Sequence, residues 1–204
     1  MLEKYATLVS EGKSEIYIEK SRFLGFASSV CNAEEAELYI RKIKNIYRDA
    51  THCCYAYKLV DNTKRFSDDA EPQGTAGLPM LDCIEKKNLF NVVVAVVRYF
   101  GGIKLGAGGL LRAYSKTASE ALANSQIGVY TKCVTADVYI SYSHYDIFKN
   151  FMKNIIHKED SVEFGLNIKI SLICELNEFK KIKEYLESFK GSAVEITGEN
   201  YYSI

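Results

Sequence analysis

The stretch NVVVAVVRYFGGIKLGAGGLLRAY, Asn91 to Tyr114, decides the fold. It opens with six unbroken apolar residues, Val92 to Val97. Such a run predicts a central strand buried on both faces, over 91–100. Five of the chain's 13 glycines follow, between Gly101 and Gly109. Beyond them Leu110, Leu111, Tyr114, Ala118, Ala121 and Leu122 share one face of a helix that runs to about Ser125. Strand, glycine corner and helix in this order predict an α/β first half.

Reading outward strengthens that expectation. SRFLGFASSV (21–30) reads as a strand, and Asn32 then precedes a helix over 33–49. HCCYAYKLV (52–60) and KRFS (64–67) read as a strand pair around an Asp61-Asn62 turn. The turn-prone segment DDAEPQGTAG follows, and Pro79 fits the first turn of a helix ending near Lys87-Asn88. Gly128 allows a turn into a further strand. The second half has another rhythm: strand 135–142, helix 144–156, strands 160–165 and 167–175, helix 178–190 closed by Gly191, and strand 193–197. This β-α-β-β-α-β order is the ferredoxin-like pattern. The expected division is therefore 1–132 and 135–204, joined by a short linker near 130–136.

Composition bounds the function. With 204 residues, 48% of them hydrophobic, the chain can bury one large core or two small ones. Formal net charge is zero, which argues against indiscriminate nucleic-acid binding. Residues 1–134 carry 18 Lys+Arg against 15 Asp+Glu, a formal +3; residues 135–204 carry 8 against 11, a formal −3. No apolar h-region opens the chain, and no run approaches the ~20 apolar residues of a membrane span. The six cysteines form no C-x-x-C pair. They read as buried reduced thiols of a cytoplasmic protein, with no zinc, disulfide or cofactor expected.

The glycine corner is the candidate site. Gly101 and Gly102 let the chain turn, and Gly106, Gly108 and Gly109 bare the start of the next helix. Exposed N–H groups there attract anions. Lys104, Arg112 and Lys116 lie beside them, where a bound phosphate or carboxylate offsets the unfavourable meeting of cation and helix dipole. G-x-x-x-x-G-K-[ST] and G-x-G-x-x-G both fail to match, so this is neither an ordinary P-loop nor a Rossmann loop. Candidate anion or nucleic-acid contacts are Arg65, Arg98, Tyr99, Gly101, Gly102, Lys104, Gly106, Gly108, Gly109 and Arg112. The structural alternative is that these glycines only let helix pack closely on sheet.

A second constellation is RFSDDAEPQGTAG, which holds Arg65, Ser67, Asp68, Asp69 and Glu71. Neighbouring carboxylates can share a proton or hold a divalent cation. His52, Asp68, Asp69 and Glu71 are the catalytic candidates, the three acids are the metal candidates, and Ser67–His52–Asp68 is a triad on paper. The structural alternative has Asp68 or Asp69 capping a turn or pairing with Arg65, Arg98 or Arg112. Tyr55, Tyr57, Tyr99 and Tyr114 are aromatic candidates for base stacking, with Tyr114 better placed in the core. His144 and His157 receive no role.

Three segments in this order and spacing, HCCYAYKL, RFSDDAEPQGTAGLPML and VVVAVVRYFGGIKLGAGGLLRAY, closely resemble the IMPACT/YigZ family. The resemblance spans about Tyr5 to Tyr130. It implies an α+β chain: a first domain like the second domain of ribosomal protein S5, then a ferredoxin-like domain similar to the last domain of elongation factor G. Both relatives handle RNA on the ribosome. The implied role is an RNA- or ribosome-associated factor in translation or its regulation, with a translation-associated protein as a further partner. Eukaryotic members act through an extra domain, so that part of their function is not carried over. The family's usual Asp-Asp-Gly-Glu-Pro reads Asp68-Asp69-Ala70-Glu71-Pro72 here. Where glycine has φ > 0, alanine costs roughly 1 kcal/mol. A binding module ranks first, a purely structural protein second, and an enzyme on a small anion third.

Overall fold

The computed structural model describes residues 2–203. The chain forms two compact units that part between Val129 and Tyr130, with residues 2–4 belonging to the second. Two strands, β1 (Lys4–Leu8) and β2 (Gly12–Ile18), open the chain before the first strand expected from the sequence. KYATL and GKSEIYI are short and broken by charges, so neither carries a clear apolar signal.

The first unit is built on an antiparallel sheet in the order β2-β3-β6-β4-β5. Its other strands are β3 (Ser21–Ser29), β4 (His52–Lys58), β5 (Lys64–Ser67) and β6 (Val92–Tyr99). Three helices cover it: α1 (Ala33–Ile46), α2 (Gly77–Lys86) and α3 (Gly106–Ala123). Strand β6 is central and pairs with β3 and β4. Side chains alternate across a strand, which explains its apolar run. Val92, Val94 and Val96 pack in the core shared with α2 and α3. Val93, Ala95 and Val97 face the side that carries α1. Helix α1 starts at Asn32, whose side chain accepts the Glu35 N–H, while Glu35 reaches back to the Cys31 N–H.

The second unit holds β7 (Ile127–Ile140) from Tyr130 onward, α4 (Tyr142–Met152), β8 (His157–Phe164), β9 (Ile168–Glu175), α5 (Leu176–Leu186) and β10 (Ala193–Tyr202). The strands run β10-β7-β9-β8, all pairs antiparallel, and β1 also pairs with β7. Helices α4 and α5 share one core: Phe148 and Met152 meet Phe179, Ile182 and the even-numbered residues of β9. No loop separates residues 130 and 136. Strand β7 runs unbroken through 127–140, so the separate strand expected over 135–142 is the end of a longer one.

Candidate functional site

Alternation along β6 also places the first candidate side chain. Continuing the even register, Arg98 points to the side of α2 and α3 and is only 5% exposed. Its guanidinium lies near two rings, 5.4 Å from the Phe23 centroid and 5.3 Å from that of Phe100. Nη1 donates to Glu71 Oε1 at 2.7 Å, and the Glu71 side chain is 4% exposed. Tyr114, fully buried on α3, donates its hydroxyl to the same oxygen at 2.8 Å. His52 Nε2 stands 4.0 Å from it. Arg98 Nη2 approaches Ser21 Oγ at 3.4 Å, and Nε is buried with no hydrogen-bond partner among the described residues. A buried carboxylate is tolerable here because two donors, one of them charged, compensate its lost hydration.

These residues border a cavity of about 410 Å³. Arg98, Glu71 and His52 supply polar groups, while Phe100, Leu105 and Leu110 supply apolar walls. Lys104, Gly106 and Ala107 bring the N-terminus of α3 to the same space. That terminus has no side-chain cap and no acid in its first turn, so its N–H groups keep their positive potential. Lys104 and Arg112 are exposed and form no ion pair among the described residues, whereas Lys116 pairs with Glu120.

The glycines divide by purpose. A Cβ on Gly101 would lie 2.0 Å from the backbone of Lys20, so this glycine exists for the close approach of the β2–β3 turn. Gly102 and Gly106 have φ of 86° and 68°, conformations that L side chains rarely adopt. A Cβ on Gly108 would meet nothing outside its own helix backbone except Arg112 Nη1, at 3.6 Å. Of the five, Gly106 borders the cavity.

Other candidates separate from this centre. Tyr99 takes the opposite sheet face from Arg98, where its hydroxyl donates to Asp49 at 3.0 Å. Arg65 lies on β5, paired with Glu37 at 3.1 Å, and does not border the cavity. Asp68 accepts the N–H groups of Gly74, Ala76 and Gly77 at 2.8–3.0 Å. It therefore satisfies the start of α2, whose own N-cap, Ala76, has no polar side chain. Asp69 accepts the Cys53 N–H at 2.8 Å and meets Lys44 at 3.4 Å. These bonds hold the two aspartates in the loop; Glu71 instead turns inward to Arg98. The paper triad does not assemble: Ser67 lies opposite Tyr55 on β4, while His52 lies opposite Arg98 on β6. Among the described residues no three His, Cys, Asp or Glu side chains are grouped to hold a metal ion. Nor do these residues include an activated thiol or phenol nearby. Burial pushes the Cys53 thiol up to about 11 and raises Cys54 and Tyr114 further still. Tyr57 and Tyr114 are buried, which removes them as stacking surfaces. Phe100, 46% exposed, is instead the exposed phenyl ring that borders the cavity.

Comparison with known proteins places this arrangement. Residues 19–122 match the Impact N-terminal domain. The chain is 42% identical over 174 residues to the IMPACT family member YvyE of Bacillus subtilis, covering 80% of this chain and 79% of that one. It is 38% identical over 109 residues to the IMPACT family member YigZ of Escherichia coli, covering 52% and 53% of the two chains. A crystal structure of a hypothetical protein, 23% identical, superposes with a TM-score of 0.69 over 100% of this chain and 98% of the other. That likeness concerns the fold; the sequence matches carry the kinship, and by them the chain belongs to the IMPACT/YigZ family.

Proposed function

We propose that the chain is an RNA-binding factor of translation or its regulation, and that RNA phosphates meet the corner between β6 and α3. One observation carries this reading. An uncapped 18-residue helix, α3, begins at the mouth of a cavity beside Lys104 and Arg112, two cations without an ion pair among the described residues. Amide N–H groups and local positive charge together favour a phosphate. With zero net charge overall, binding must be local, and this corner supplies the local charge.

The finer fold assignments belong to the same proposal: a first unit like the second domain of ribosomal protein S5 and a ferredoxin-like second unit. The β-α-β-β-α-β element order with strand order β10-β7-β9-β8 supports the latter. The ribosome is the proposed setting and the cytoplasm the proposed compartment. No helix among the described residues is long and apolar enough to cross a membrane. A catalytic reading has less support, since the buried thiols and phenol around Glu71 are shifted away from reactivity.

The test is binding of single-stranded RNA against salt, for the native chain and for Lys104→Ala/Arg112→Ala. Affinity should be micromolar or tighter and fall with salt. The double variant should bind more weakly, with the salt slope reduced by roughly 1 per lost cation. Equal binding by a folded double variant sinks the proposal.

A further inference from the structure

The corner explains attraction to a phosphate but not the cavity behind it. A phosphate site alone needs only backbone N–H groups and cations. Here the space of about 410 Å³ is walled by Phe100, Leu105 and Leu110, with a polar floor of Arg98, Glu71 and His52. Sites of roughly 300–1,000 Å³ with apolar walls and a few convergent polar groups suit small molecules. The floor is also incompletely used. Arg98 is 5% exposed and its Nε is without a partner among the described residues. The contacts of Arg98, Tyr114 and His52 with Glu71 all end on Oε1, which leaves Oε2 for a donor from a ligand.

Resting on the RNA reading, we infer that the cavity takes one nucleotide unit, with its base inside and its phosphate at the start of α3. The base has an apolar face for Phe100 and Leu110. Bases drawn out of a single strand are recognised in this way, by stacking on a ring and hydrogen bonding along an edge. Glu71 Oε2 accepts from an exocyclic amino group, as carboxylates do from cytosine N4. Adenine, cytosine and guanine offer such a group and uracil does not, so the pocket discriminates against uracil. The phosphate lies with Lys104 and the N–H groups near Gly106 and Ala107. The nucleotide can come from an RNA chain or be free; the chemistry of the site is the same.

The experiment titrates the full chain with adenosine, cytidine and uridine 5′-monophosphates, with inorganic phosphate, and with short single-stranded RNA. Phe100→Ala is compared with Phe100→Tyr, which keeps a ring. Adenosine and cytidine monophosphates should bind about tenfold more tightly than uridine monophosphate, and should displace RNA. Phe100→Ala should weaken them about tenfold, while Phe100→Tyr retains binding. Circular dichroism confirms that both variants fold. RNA binding that depends on Lys104 and Arg112, but without mononucleotide binding or any effect of Phe100→Ala, overturns the pocket and leaves the corner intact. Mononucleotide binding without RNA binding upholds the pocket, assigns it to free nucleotides and sinks the RNA reading. Phosphate binding as tight as that of the nucleotides overturns the base site. Binding of none of these probes overturns both readings.

Discussion

Each unit has an ion pair with its cation on the sheet, and the two pairs differ in their exposure to water. In the first unit Arg98 and Glu71 are 5% and 4% exposed, between β6 and the helices α2 and α3. In the second, Lys169 and Asp137 are 31% and 13% exposed, with Nζ–Oδ2 at 3.0 Å and Ser171 donating to Asp137 at 2.6 Å. The second pair lies on the sheet face away from the core that α4 and α5 share. The first sheet has helices on both faces, so a charge beneath them loses its water and must be compensated by its neighbours. The lesson is that the first unit's pair is the more deeply buried of the two. An interior ion pair with an unpaired Nε among the described residues is weak evidence for stability, and a buried charge of this kind marks a candidate site.

The sharpest way to break this comparison is to remove one partner from each pair. Arg98→Met leaves Glu71 buried without its cation. It should cost roughly 3–5 kcal/mol in urea unfolding. Adding Glu71→Leu should recover much of the loss, because two apolar groups need no compensation. Lys169→Met should cost about 0–1 kcal/mol, as for a pair still open to water. Equal losses at the two sites would abolish the distinction.

A smaller effect is expected at Ala70. It has φ of 61° and follows Asp69 at 47°, so the loop carries two consecutive left-handed residues that are not glycine. Ala70→Gly should stabilise the chain by up to about 1 kcal/mol, the relief of αL strain being partly offset by glycine's extra unfolded-state entropy. Thermal unfolding that shifts downward would show that the loop gains nothing from glycine there.

Acid sharpens the other side. The Ser171 hydroxyl, with help from Lys169, holds the Asp137 carboxyl below its ordinary value of 3.8. A carboxylate with a depressed folded-state value stabilises the fold above its unfolded-state value. That contribution disappears as pH falls from about 3.8 through the lower, folded-state value. Asp137→Asn should therefore lower stability at neutral pH by the carboxylate's contribution, lose nothing further in acid, and so flatten the acid limb of unfolding in the second unit. An unchanged acid limb would remove Asp137 from the account.

Much of this is readable from the sequence, for identifiable reasons. The apolar run of β6 is long enough to admit one reading, and the Asn32 cap, Pro79 and Gly191 mark helix ends by local chemistry. β1 and β2 escape that reading because short strands interrupted by Lys, Glu and Ser carry little periodic signal. Glu71 stands among the acidic candidates, but nothing local sets it apart from Asp68 and Asp69. Its partners Arg98 and Tyr114 lie 27 and 43 residues away. Arg65 and Tyr99 look equivalent to Arg98 as hydrogen-bonding groups, and differ from it only in strand and sheet face.

By itself the sequence determined the order of elements from β3 onward, the glycine corner and the family, because each rests on local pattern or motif. Tertiary structure alone decided which acid faces Arg98, which aspartate serves the start of α2, and that Phe100 rather than a tyrosine lines the cavity. Those outcomes depend on pairing register and on the face to which each side chain turns, and a shift of one residue reverses that face.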